Sequence, residues 1–210
     1  MCHSQLLWLI VMIAAPFAQS PPAPNAALQS ELERMGDADQ EVRRWMVATT
    51  ASGNVVFAQP PSEAEGKVLI ARMTEVDRRN MARLAEIIDQ FGWPRRSLVG
   101  QKASEAAFLI LQHSMLDSQK RYFPLLKDAA EHGEARRDQA AMMEDRILLG
   151  DGKKQIYGTQ VRSGADTQGK WVLQPIEDEA NVDVRRAAVG LPPLAEYLKA
   201  FGLEYTPPNP

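Results

Sequence analysis

Apolar residues recur at helical spacing along most of the chain. From Asn25, a residue suited to capping a helix start, Leu28, Leu32, Met35, Val42 and Met46 fall on one face and predict a first helix. Gly53, Asn54, Pro60 and Pro61 then interrupt the period, so Thr49 to Pro61 is expected to be a loop, with a short extended piece at Val55 to Ala58. Ser62 followed by Glu65 has capping-box spacing and opens a long helix carried by Leu69, Met73, Val76, Leu84, Ile87 and Phe91. Gly92, Trp93 and Pro94 stop it. A central helix begins near Ala103 and is apolar almost all round from Ala106 to Leu111, the pattern of a helix at the middle of a fold. Pro124 is expected to break or restart that helix, leaving a shorter amphipathic piece to about Glu131. Another helix spans Glu134 to Leu149 and ends at Gly150 and Gly152.

The period then changes. Gln155 to Val161 and Lys170 to Gln174 are short runs with β-formers, separated by Ser163, Gly164 and Gly169, and they read as one hairpin. Helical spacing returns over Val182 to Ala188 and Pro193 to Phe201, and Thr206 to Pro210 is expected to be a disordered tail. The fold class is therefore mainly α. A single compact domain over residues 21–205 is expected to hold five to seven helices and one small β-hairpin near the C-terminal third.

The first twenty residues stand apart. Leu6 to Ala15 is an uninterrupted apolar run ended by Pro16, with small residues at Ala18 and Ser20 before a proline-rich stretch, which is the layout of a signal peptide. The run is about half of the ~20 apolar residues that cross a bilayer, so no stable membrane anchor is expected after its removal. No Lys or Arg precedes Arg34, a departure from the usual basic start. The expectation is export, to the periplasm or beyond the cell. The only cysteine, Cys2, lies in this segment, so the mature chain is expected to have neither a disulfide nor a thiol nucleophile.

With 210 residues, 45% of them hydrophobic, the chain can bury a core without a disulfide or metal staple. The net charge of −3 comes from acids and bases interleaved along the chain, with no basic stripe, so nucleic acid is not an expected partner.

Polar residues inside apolar stripes carry the candidate chemistry. At about 100° per residue, Asp77 and Asn80 fall within or at the edge of the long helix's stripe. Asp39 falls within that of the first, with Arg43 at its margin. Near the polar end of the central helix, Gln112 and His113 flank the buried side. Asp117 and Arg121 continue from His113 at the i+4 spacing that brings side chains together, so His113 and Asp117 are expected to touch. A carboxylate beside an imidazole fixes its tautomer, which suits a general acid/base and equally suits a structural network. Buried carboxylates need partners, and Arg43, Arg146, Arg185 or Arg186 could supply them. Ser114 should project about 100° from His113, against a direct Ser-His pair. No GxSxG elbow, phosphate-binding loop, GxGxxG, EF-hand loop, HExxH or CxxC is present, and no metal or cofactor is expected.

Gly92-Trp93-Pro94, Val99-Gly100, Ala103-Ser104, Gln112-His113 with Asp117, Asp145-Arg146 and Gln155 with Tyr157-Gly158-Thr159-Gln160 together resemble an uncharacterised bacterial family, a domain of unknown function. The likeness continues through Asp183, Arg185, Arg186, Gly190-Leu191, Leu194 and Tyr197, and covers roughly Leu28 to Tyr197. It implies positions and no chemistry. Two readings stay open. In one, His113 and Asp117 are an acid/base pair in a pocket also formed by Asp77, Asn80, Gln112, Asp145, Arg146, Tyr157 and Gln160. That pocket takes a small polar or anionic ligand, with Arg146 on its negative charge. If it is catalytic, hydrolysis of a cell-envelope component is the most concrete form, on location alone. In the other, these groups are a buried network in a non-catalytic structural or protein-interaction domain. An open cleft favours the first; mutual burial and pairing favours the second.

Overall fold

The computed structural model describes residues 24–49, 55–57, 62–162, 167, 170–206 and 208. The expected signal segment with Cys2, and most of the expected C-terminal tail, lie outside the described residues. Eight α-helices are present among those described. α1 (Ala26–Glu41) starts where Asn25 Oδ1 accepts the amide of Leu28 at 3.0 Å. A 3₁₀ turn at Arg44–Met46 leads into β1 (Val47–Thr49), which pairs antiparallel with β2 (Val55–Phe57). The extended piece expected at Val55 therefore has a partner that helical periodicity carried past: Met46 belongs to the turn, and α1 ends five residues earlier.

α2 (Glu63–Phe91) opens on the capping box, Ser62 Oγ accepting from the Glu65 amide at 3.2 Å and donating to its carboxylate at 2.7 Å. It stops at Gly92, whose φ of 73° is left-handed, and Trp93 turns inward beneath it. The four-residue α3 (Arg96–Val99) joins it to α4 (Gln101–Gln112), where Ala103, Ala106, Ala107, Phe108, Ile110 and Leu111 are all buried, as the all-round apolar pattern predicts. α1 runs parallel to α4: Gly100 lies against Gln29, Ala106 against Gly36 and His113 against Asp39, in the same order along both helices. The helices approach closely because Gly36 has no side chain. A Cβ there would sit 2.6 Å from that of Ala106.

Pro124 does not break the chain, contrary to expectation. The interruption falls ten residues earlier, at His113–Met115, and α5 (Leu116–Glu131) runs straight through the proline. Two local contacts make the break. The Ser114 hydroxyl donates to Leu111 O at 2.7 Å, and the buried amide of Gln119 donates to Gln112 O and Ser114 O at 3.0 and 2.9 Å, satisfying carbonyls the helix end leaves open. Pro124 lies on the exposed side of α5, and the packing of Tyr122 and Leu126 on either side holds the helix to the core.

α6 (Arg137–Gly150) completes the main cluster. Beyond it, β3 (Val161–Arg162) pairs antiparallel with β4 (Val172–Leu173), the small hairpin expected near the C-terminal third. α7 (Val182–Ala188) and α8 (Leu194–Lys199) follow, and Ile176, Val182, Leu194 and Leu198 form a second, smaller core. The first strand is shorter than expected. Tyr157 to Gln160 form a turn instead, for reasons given below. Among the described residues no helix is long and apolar enough to cross a membrane.

Candidate functional site

An open cleft of about 610 Å³ lies between one face of α2 and the start of α5. Helical spacing builds both walls: Thr74, Asp77, Met81 and Ala85 on α2, and Ser118 and Tyr122 on α5 with Met115 just before it, and Asp117 and Arg121 beside them. His113 and Ser114, at the corner between α4 and α5, lie between the walls. Apolar carbon lines most of the cleft and a few polar groups punctuate it, the usual make-up of a small-molecule site.

His113 pairs with Asp39, not with Asp117. The i+4 geometry that would join His113 to Asp117 requires one continuous helix, and the break at His113–Met115 removes it. The ring Nδ1 instead faces both oxygens of Asp39, at 2.9 and 3.0 Å. Asp39 is 1% exposed and also accepts from Arg43 Nη1 at 2.9 Å and from the Gln40 amide at 2.8 Å. Arg43 reaches on to Asp77, its Nη2 donating to both carboxylate oxygens at 2.6 and 2.7 Å. A chain of four groups therefore runs from the α2 wall through Arg43 and Asp39 to the imidazole. An acceptor-only carboxylate on Nδ1 assigns the ring proton to that nitrogen and leaves the lone pair on Nε2, which has no partner among the described residues. Asp117 lines the same cleft from α5 but is exposed and has no hydrogen bond or ion pair among the described residues.

The other expected site residues lie elsewhere. Asn80 is buried and donates to Met35 O at 3.1 Å, tying α2 to α1. Gln112 offers its backbone carbonyl to Gln119. Asp145 is fully buried on α6, where its two oxygens accept the amides of Ile156, Tyr157 and Thr159 at 2.6, 3.0 and 3.0 Å and the Thr159 hydroxyl at 2.8 Å. That one carboxylate gathers the chain into a turn, which is why Tyr157–Gln160 is not a strand. Gly158 supplies the φ of 67° that the turn requires, and its bare face packs on Ile176 and Leu194. Gln160 closes the turn through the side chain of Gln155, whose Oε1 accepts the Gln160 amide at 2.9 Å and whose Nε2 donates to Gln160 O and Gln174 O.

Tyr157 lies outside the His113 cleft, against Glu144 at the seam between α6 and the second core. Burial and the nearby carboxylates of Glu144 and Asp145 push its phenol up. Arg146 does not line the cleft either. It is largely buried, has no hydrogen bond or ion pair among the described residues, and burial draws its guanidinium below the usual range. Arg186, fully buried, donates to the carbonyls of Pro192 and Tyr157 at 2.6 and 2.7 Å and lies 5.0 Å over the Tyr197 ring. The single convergent pocket expected from the motifs therefore separates into an open cleft around His113 and a closed latch around Asp145.

Asp39 and Arg43 are the members of the cleft network that the sequence left unassigned. Their signal was present: a carboxylate inside an apolar stripe, with a guanidinium four residues on at its margin. Its partner could not be read, because His113 is 74 residues away.

Fold and site together define a mainly helical protein with an aspartate-held histidine on an open cleft. The chain belongs to a family of unknown function, DUF6624, which it matches over residues 26–206. No curated protein and no solved structure matches it.

Proposed function

We propose that this is an exported domain that binds a small polar or anionic molecule in the cleft between α2 and α5, where His113 exchanges a proton with it. The observation that carries this reading is the division of labour at the ring. Nδ1 is committed to Asp39 at 2.9 Å, while Nε2 stays uncommitted on a side chain that lines the cleft and is 19% exposed. That is the arrangement a general acid/base needs, since the carboxylate fixes the tautomer and leaves the Nε2 lone pair to exchange a proton with the ligand. Arg121, which has no carboxylate partner among the described residues, replaces Arg146 as the cation for a ligand's negative charge. Export rests on the apolar run from Leu6 to Ala15 and its proline-rich boundary.

The test is a thermal-shift screen of small organic acids, metabolites and cell-envelope fragments, run on wild type and His113→Gln. A compound class that raises Tm in wild type and not in the variant supports the reading. Silence across the screen, with His113→Gln strongly destabilised, supports a second reading: that Asp39, Arg43, Asp77 and His113 only fix helix packing. The favourable observation for that alternative is that the two carboxylates and Arg43 are already mutually paired.

A further inference from the structure

We propose that Arg43 is the positioning residue of the cleft. It holds the Asp39 carboxylate in the orientation that sets the His113 tautomer, and it fastens that pair to the α2 wall through Asp77. The proposal deepens the acid/base reading of the same cleft but is tested without a ligand.

The geometry of Arg43 differs from that of an ordinary surface ion pair. α1 ends at Glu41, and the Arg43 amide bonds back to Gln40 O, so the carbonyl of Asp39 loses its usual helical partner. Arg43 Nη1 takes that carbonyl at 3.0 Å and, with the same nitrogen, the Asp39 Oδ1 that faces His113 at 2.9 Å. The guanidinium therefore fixes both the backbone and the side chain of the residue that orients the imidazole. Its other arm covers both oxygens of Asp77. Asp77 lines the cleft but has both oxygens occupied by Arg43, which makes it an anchor for the guanidinium. A planar fork with several donors at fixed angles can span two carboxylates in this way, whereas an ammonium acts as a single point charge.

The charge balance requires the same residue. Asp39 and Asp77 bring two negative charges to the network, and Arg43 is its only permanent cation. Without Arg43, the two carboxylates would lose their shared cation, and Asp39 would keep only the neutral Gln40 side chain and the imidazole. Asp39 would then turn toward any donor available, and the ring would lose its single fixed hydrogen bond.

Nitrogen-15 and proton NMR of the full chain's histidines tests this directly. In wild type, His113 is expected to show one Nδ1-protonated tautomer with a downfield, slowly exchanging Nδ1 proton. His132, whose Nδ1 faces Asp128 O at 2.8 Å on a remote surface, provides the internal reference. Asp77→Asn perturbs only the anchor, at a partly exposed position, and Arg43→Lys keeps the charge without the fork. Each is expected to abolish the slow Nδ1 signal of His113, or to speed its exchange with water at least tenfold, with the His132 signals and the backbone amide spectrum retained. Arg43→Met is expected to abolish it outright. If Asp77→Asn and Arg43→Lys fold and leave the tautomer and exchange of His113 as in wild type, Asp39 alone orients the ring and the proposal is overturned. A silent ligand screen beside an altered His113 signal would reject the acid/base function and leave the clamp standing.

Discussion

Asp145→Asn should unfasten the latch that joins α6 to the second core. The substitution keeps the shape of the side chain. One oxygen can still accept the amides of Ile156 and Tyr157, at 2.6 and 3.0 Å in the native protein, but the other becomes an NH₂ group facing the Thr159 amide. One buried N–H then meets a donor instead of an acceptor, at about 1–3 kcal/mol. The two surviving bonds fall from charge-assisted to neutral strength, about 1 kcal/mol each. Relief from burying a charge offsets part of the loss, which leaves about 2–4 kcal/mol in all. At about 2–4 °C per kcal/mol for a chain of this size, Tm should fall by roughly 5–15 °C. Calorimetry on the full chain measures the shift. Hydrogen exchange should place it, with faster exchange at Ile156, Tyr157 and Thr159 and little change in α4. The exposed Glu196→Gln provides the control, expected to stay within about 0.5 kcal/mol. A shift for Asp145→Asn no larger than this control, with the three amides still protected, would refute the latch.

Gly36→Ala should destabilise despite the better helix propensity of alanine. Its Cβ meets that of Ala106 at 2.6 Å, and the overpacking is worth about 1–3 kcal/mol in an equilibrium melt; a stabilised variant would show that α1 and α4 can move apart freely. Asp39→Asn removes the charge shared by His113 and Arg43 and should cost about 2–4 kcal/mol. It should also abolish the Tm rise from any cleft ligand, and a normal ligand response in this variant would contradict the acid/base role of His113. The phenols of Tyr157, Tyr197 and Tyr205 should ionise late, since burial favours the neutral form of each and, with the carboxylates of Glu179 and Asp183 nearby, carries Tyr205 to about 12. The folded state then holds these protons more tightly than the unfolded state. Their contribution to stability is intact below about pH 10 and is lost as pH rises through the folded values. Alkaline titration of phenolate absorbance, native against denatured, checks this, and superimposable curves would refute it.

Local chemistry determined much of this protein directly. The caps at Asn25 and Ser62, the stop at Gly92-Trp93-Pro94 and the all-round apolar stretch of α4 each act within a few residues. The starts of α1 and α2, the end of α2 and the buried stretch of α4 fall where these signals place them, while the ends of α1 and α4 come earlier than the periodicity predicts. Asp39 and Asn80 were legible as inward-facing for the same reason, a helical stripe being a local property, whereas Asp77 lines the open cleft. What the sequence left open was which distant groups would meet. The break between α4 and α5 depends on the buried amide of Gln119 reaching back over the helix end, and that contact outweighs the local signal of Pro124. Once the break falls at His113, the imidazole faces Asp39 across the parallel contact that Gly36 permits, and Asp117 is left on the far wall of the cleft. Asp145 likewise was expected to line the ligand pocket beside Arg146, its neighbour in sequence. Its burial became favourable only when three amides from a segment eleven to fourteen residues away were folded onto it. Periodicity assigns each side chain to a face. The partner that satisfies a buried charge is set by close packing between elements far apart in the chain, and so only the tertiary structure could decide it.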